Sequence, residues 1–170
     1  IAEKVLVSPR TGIIDSHEYM LNLLADVEKN GGIFVPNSKV THGESVSDGI
    51  ILNVSGKEES KIKSKYVVNS AGMQSVELAK KLSSKNIPNH PKNGLCKGNY
   101  FSYSGKVPFS RLIYPVPEPG GLGIHLTLDL NGQARFGPDV EWVDKLNYNV
   151  DPNRKESFVK EIKKYWKDID

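Results

Sequence analysis

Apolar residues first recur at helical spacing between positions 15 and 30, where Tyr19, Met20, Leu23, Leu24 and Val27 fall on one stripe and Gly31-Gly32 closes the run. Asp15 is suited to cap the N-terminus, with Glu18 three residues later as in a capping box. An amphipathic helix over 15–30 is expected. The pattern then changes to segments rich in Val and Ile, at 33–46, 49–54 and 61–69, which read as extended. Polar linkers separate them, and Gly56 to Ser60 suit a hairpin loop. Val76, Ala79 and Leu82 share a face and predict a short second helix over 74–84. Residues 86–94, with two prolines and a glycine, are the best linker candidate. Four further strands are expected at 98–103, 111–116, 122–128 and 133–137. Asp151-Pro152 opens a last helix, with proline where a missing N–H costs nothing, and Phe158, Ile162, Tyr165, Trp166 and Ile169 form its buried stripe.

The order is helix, strands, strand-turn-helix, strands, helix, which is an α+β (mixed α/β) arrangement. The hairpin-length gaps of the second half suggest an antiparallel sheet. The expected division is 1–85 and 86–170.

Composition narrows the function classes. The 170 residues suffice for one medium domain or parts of two, and 38% hydrophobic with 25% charged residues is ordinary for a globular chain. A net charge of +3, spread along the chain, lacks the dense basic face that nucleic acid requires. The apolar runs fall far short of a membrane span, and there is no secretory leader pattern. A single cysteine, Cys96, excludes an internal disulfide and any multi-cysteine metal site. A cytoplasmic location is expected, with peripheral membrane contact as an alternative. Ile1, close to an apolar run, and Asp170, in a charged one, read as cuts in a longer chain. His17, His42, His90 and His125 show no metal-ligand spacing, so no metal site is expected. Gly-x-Ser-x-Gly, a phosphate loop and Gly-x-Gly-x-x-Gly are all lacking from the sequence.

Two segments could carry chemistry. Tyr66 to Gly72 reads as a buried strand ending in small residues (Ser70, Ala71, Gly72) before a helix, where backbone can approach a phosphate-bearing ligand. On spacing alone, a tight connection without a ligand is the better reading. Within 122–128, alternation puts Gly123, His125 and Thr127 on one face and Leu122, Ile124, Leu126 and Leu128 on the other. An imidazole on such a face can accept a proton near neutral pH. A lone histidine is more often a surface or structural residue.

Together, Ser8 to Asp15, Val67 to Gly72, Lys97 to Phe101, Leu112 to Pro117, Gly123 to Thr127 and Phe136 to Pro138 resemble, in order, the FAD-dependent oxidoreductases of the D-amino-acid-oxidase/glycine-oxidase type. The resemblance is strongest to the L-2-hydroxyglutarate dehydrogenase branch. It implies FAD as cofactor, with Val40, Ser70, Ala71 and Gly72 lying along it. Residues 1–85 would then hold the entry helix, adenine-side strands and the return strand-turn-helix of a Rossmann-like FAD-binding domain. Residues 86–170 would be a substrate-domain sheet covering the flavin ring. The opening and closing segments of the family would lie outside this chain, as missing partners of the same protein. A piece lacking them would be inactive alone, would hold FAD weakly if at all, and would either self-associate through apolar surface or be disordered in part of 66–84.

The implied reaction removes a hydride from the carbon bearing the hydroxyl of a small 2-hydroxy acid and delivers it to flavin N5, while a base takes the hydroxyl proton. His125 is the implied base, Tyr114 and Thr127 help bind substrate, and Arg111 is a candidate carboxylate clamp or, equally, a solvated strand end. The rivals are an oxidase of glycine, sarcosine or another small amino acid, and a non-catalytic binding domain. The chain departs from the family pattern at Leu128-Asp129-Leu130, where Arg or Pro is usual, and the resemblance gives no place to Arg135 or Trp142.

Overall fold

The computed structural model describes residues 4–82, 94–117 and 122–169. The expected linker at 86–94 lies outside the described residues except for Gly94, as do His90 and the last two positions of the helix expected over 74–84. The chain divides into two compact units, Leu23–Asn93 and Ile1–Asn22 with Gly94–Asp170. Helix α1 (Ser16–Lys29) runs from one into the other. Its start is set by Asp15, whose Oδ1 accepts from the backbone N–H groups of His17 at 3.0 Å and Glu18 at 3.1 Å. Its apolar stripe, however, is exposed at Tyr19, Met20, Leu23 and Val27.

In the unit Leu23–Asn93, strands β1 (Lys39–Val46), β2 (Gly49–Ser55) and β3 (Ser60–Ser64) form an antiparallel meander with a register irregularity between Val40 and His42. Helix α2 (Ser75–Leu82) packs on β1, and a methyl of Leu82 stands 2.8 Å from where a Cβ on Gly43 would be. The meander is shorter than its apolar pattern predicts. Residues 33–38 and 65–71 pair with no strand among the described residues, and Ile33, Phe34, Tyr66 and Val68 are exposed. The segment leading to Asn69 is therefore not the buried strand that its valines suggest. Val and Ile favour strands only where a neighbouring strand or a covering layer takes their side chains.

The other unit contains the core. Strands β5 (Phe101–Tyr103), β7 (Ala134–Gly137) and β6 (His125–Leu128) form an antiparallel sheet in that spatial order, and Ile113 joins it through an isolated bridge to Leu126. The expected strands are thus trimmed: 98–103 to 101–103, 122–128 to 125–128, and 111–116 to a single bridge. A two-stranded ladder of β4 (Leu95–Lys97) and β8 (Glu141–Val143) was not foreseen. Helix α3 (Lys155–Ile162) follows a single 3-10 turn at Pro152–Arg154, which Asp151 caps by accepting from Asn153 N–H. α3 stops at Ile162, yet the apolar stripe continues through the turns after it.

Ile124, Leu126, Ala134 and Phe136 from the sheet, with Phe158, Ile162, Trp166 and Ile169 from the C-terminal segment, make one buried cluster. Its rings meet edge to face, Phe101 on Phe158 at 4.8 Å and Tyr103 on Trp166 at 5.1 Å between centroids. Beside this core, Asp139 accepts from the backbone and side-chain N–H groups of Asn99 at 2.8 and 2.9 Å and from Arg154 Nε at 2.6 Å. Glu141 accepts from the same Asn99 amide at 2.9 Å and pairs with Lys97 at 3.2 Å. Asn99 is buried, so this network ties β4, β8 and the turn before α3 into one polar layer.

Two outcomes follow from this packing. Phe158 is fully buried, so Phe158→Ala is expected to cost about 3–5 kcal/mol by chemical denaturation. The Asp139 carboxyl is raised by burial, but the Asn99 hydrogen bonds and the Arg154 contact and charge outweigh that and hold it below its ordinary value. Hydrogen bonds from Asn99 and Lys97 likewise hold Glu141 low against partial burial. The unfolded chain therefore binds these protons more tightly than the folded one. Stability is fully present above the ordinary carboxylate range near pH 4 and falls as pH drops below it. Denaturation midpoints measured between pH 6 and pH 3 should fall, and Arg154→Met should flatten that fall.

Candidate functional site

The alternation expected around β6 is largely present. Ile124 and Leu126 are buried in the core, while His125 and Thr127 are turned to the other, open face. Leu122 departs from it: three residues before the strand begins, it is exposed rather than inward. Cross-strand neighbours share a face, so the open face can be read from the register. His125 lies opposite Gly137, Thr127 opposite Arg135, and Arg135 opposite Ser102. From the bridging segment, Ile113 follows Leu126 into the core and Tyr114 turns outward beside His125.

The imidazole is held on two sides. The Tyr114 ring meets it edge to face with centroids 4.5 Å apart. His125 Nε2 lies 3.0 Å from the carbonyl oxygen of Leu122. A carbonyl can only accept, so this contact places the proton on Nε2 and leaves Nδ1 of the neutral ring as the acceptor. Gly123, between the two, has φ +76°, and a Cβ there would stand 2.8 Å from Cγ of Pro115. Both the left-handed backbone and the close approach of Pro115 require glycine, and together they bring the Leu122 carbonyl back over its own strand. From the core side, half-buried Tyr165 donates its hydroxyl to the Ile124 carbonyl at 3.0 Å, and burial pushes its phenol pKa up, so it remains a neutral donor. The strand is thus anchored immediately before His125.

Of the four residues expected at the substrate site, the structure brings Tyr114, His125 and Thr127 to one face. It does not bring Arg111 into that register: Arg111 is exposed in a bend outside any strand, and the bridge begins only at Ile113. The cation on the face is Arg135, in the central strand between Ser102 and Thr127. The sequence signal for it was the alternation in 133–137, where Ala134 and Phe136 point inward and Arg135 outward.

The residues expected along a cofactor lie in the other unit. Asn69 fixes the turn after the exposed Tyr66–Val68 segment: its amide donates to the Ser75 carbonyl at 2.8 Å and its Oδ1 accepts from Ala71 N–H at 3.3 Å. Ser70, Ala71 and Gly72 are exposed, Gly72 has φ +55°, and a Cβ placed on it would meet nothing within 4 Å. Small side chains and open space leave this backbone accessible, a donor set that fits a cofactor approached through main-chain groups. Val40 is half-buried in β1, next to a depression of about 310 Å³ lined by Thr41, His42, Asn53, Val54, Ser55, Glu59, Ser60 and Lys61. No helix among the described residues is long and apolar enough to cross a membrane.

Residues 2–170 match the family model described as FAD dependent oxidoreductase, and the chain belongs to that family, whose cofactor is FAD. Among curated relatives, the mitochondrial L-2-hydroxyglutarate dehydrogenase of Arabidopsis thaliana is 35% identical, with 98% of this chain and 43% of the relative aligned. The mitochondrial L-2-hydroxyglutarate dehydrogenase of Pongo abelii is 30% identical over 78% of this chain and 34% of its own length. The L-2-hydroxyglutarate dehydrogenase of Escherichia coli strain K12 is 23% identical over 78% of this chain and 31% of its own length. The chain spans less than half the length of these relatives.

Proposed function

We propose that this chain is the substrate-side part, with a portion of the FAD-binding domain, of an oxidoreductase that oxidises a small 2-hydroxy acid of the L-2-hydroxyglutarate kind. The observation that carries the reading is the open face of β6. There an imidazole is fixed by one ring nitrogen and offers the other, beside a tyrosine and a threonine. The names of the relatives support the substrate class.

His125 acts as the base. Nδ1 takes the proton of the substrate hydroxyl, and the imidazolium so formed still donates from Nε2 to the Leu122 carbonyl. The contact keeps Nδ1 aimed the same way before and after transfer. Tyr114 restricts the ring by its edge-to-face contact and presents its phenol at the exposed side. Thr127, two residues along the strand, offers a hydroxyl on the same face. Bound FAD supplies the redox step by accepting the hydride. Val40, Ser70, Ala71 and Gly72 would hold it, and the meander β1–β3 with α2 is read as part of the Rossmann-like domain. The exposed stripe of α1 and the exposed residues Tyr66, Val68 and Met73 are read as surfaces that other segments of the same protein cover.

The test is anaerobic reduction of the full-length flavoprotein. L-2-hydroxyglutarate should bleach the flavin band and glycine or sarcosine should not; bleaching by the amino acids alone would assign the protein to amine oxidation. His125→Gln should slow reduction at saturating substrate by roughly 100-fold or more, and an unchanged rate would remove the imidazole from the chemistry. The 170-residue chain alone should self-associate in light scattering, and a strictly monomeric species would contradict the reading of its apolar faces.

A further inference from the structure

We infer that Arg135 is a specificity-determining residue that selects 2-hydroxy acids carrying a second carboxylate. The inference rests on the hydroxy-acid reading above and adds which residue holds the far carboxylate of the substrate. Arg135 is exposed on the open face of the central strand, directly between Ser102 and Thr127 and diagonal to His125. Diagonal neighbours in an antiparallel pair lie about 7–8 Å apart. An arginine side chain can close that gap, so a five-carbon acid could place its hydroxyl at the imidazole and its distal carboxylate at the guanidinium. Opposite His125 stands Gly137, which adds no side chain, and the ring of Tyr100 lies against its backbone, with Cδ1 2.7 Å from where a Cβ would be. The ground between the imidazole and Arg135 is therefore flanked by a ring rather than filled by an alkyl side chain.

The carboxylates nearest in sequence do not ion-pair with this cation. Asp129, diagonal to Arg135 at the turn end of the same strands, is engaged by its own loop, its Oδ1 accepting from the N–H groups of Asn131 and Gln133 at 2.9 Å. Asp139 is held by Arg154 and Asn99, and Glu141 by Lys97 and Asn99. No ion pair to Arg135 occurs among the described residues. A guanidinium without a carboxylate partner, set between two hydroxyls on a strand that cannot swing, offers a planar fork for an incoming carboxylate. Neighbouring hydroxyls can donate to the same oxygens.

The full-length flavoprotein decides this by two independent readouts. In calorimetric titrations, wild type should bind glutarate more tightly than pentanoate, which has the same carbon count but a single carboxylate. Arg135→Met should weaken glutarate by about 10- to 100-fold, the scale of a lost charge-assisted pair, with pentanoate changed by no more than about twofold. Arg135→Lys should fall between. In flavin reduction the KM for L-2-hydroxyglutarate should rise with little change in kcat. Equal weakening of both acids, unchanged glutarate binding in Arg135→Met, or no preference for glutarate in wild type overturns the assignment. Glutarate binding that depends on Arg135, in a protein whose flavin L-2-hydroxyglutarate does not bleach, would sink the hydroxy-acid reading and leave the dicarboxylate site standing. Bleaching with unchanged glutarate binding in the variant does the reverse.

Discussion

The docking of Phe158, Ile162, Trp166 and Ile169 onto the inner side of the β5-β7-β6 sheet fixes everything that the open side can do. A strand has two faces, and a slip of one residue exchanges them. Burying Leu126 and Phe136 under Phe158 and Trp166 therefore locks the register, and with it the outward placement of His125, Thr127 and Arg135. The core is small but rich in aromatic area, and its edge-to-face contacts give it a single arrangement. The polar layer of Asn99, Asp139, Glu141, Lys97 and Arg154 closes one end of the same unit. Within it Asp139 and Glu141 have Asn99, Arg154 and Lys97 as their partners.

The orientation of the His125 ring depends on backbone as well as on the neighbouring Tyr114 ring. The Leu122 carbonyl decides the tautomer, and it can do so because Gly123 turns the chain in a way that other residues resist. No carboxylate is needed to orient this imidazole. A carbonyl is a weaker partner than a carboxylate, but it cannot take the proton away, so the free nitrogen is unambiguous in the neutral ring.

Much of this was legible locally. The Asp15 cap, the α1 stripe, the Asp151-Pro152 start and the alternation through Ile124 to Leu128 depend on residues within a turn or two of each other. What local pattern could not supply was partnership. Residues 33–35 and 66–68 look like strands because they are apolar, but strand formation needs a neighbour that sequence distance does not reveal. The β4–β8 ladder joins Leu95 to Val143, and its three-residue strands are too short for alternation to show. Helix α3 was extended in expectation because Tyr165, Trp166 and Ile169 keep a helix-like spacing while turns carry them. At the candidate site, alternation put His125 and Thr127 on one face and the family motif added Tyr114, whereas Arg111 was named for the match of a guanidinium to a carboxylate and Arg135 was given no place. Cross-strand pairing decides which arginine shares the imidazole's face, and that pairing spans residues far apart in the chain.

The exposed apolar residues belong to the same argument. A stripe of Tyr19, Met20, Leu23 and Val27 at strict helical spacing, with an N-cap in place, is the pattern of a helix that packs. Tyr66 and Val68, flanking the exposed turn at Asn69, have strand-forming chemistry without a ladder. Each is a surface whose composition suits burial while its surroundings do not provide it. The core sheet shows the opposite balance, where Leu126, Ala134 and Phe136 are buried inward and Ser102, His125, Thr127 and Arg135 face the other way. The open face of β6 is thus not an unfinished interior. Its polar composition is stable in water, whereas the apolar surfaces have the composition of surfaces that pack.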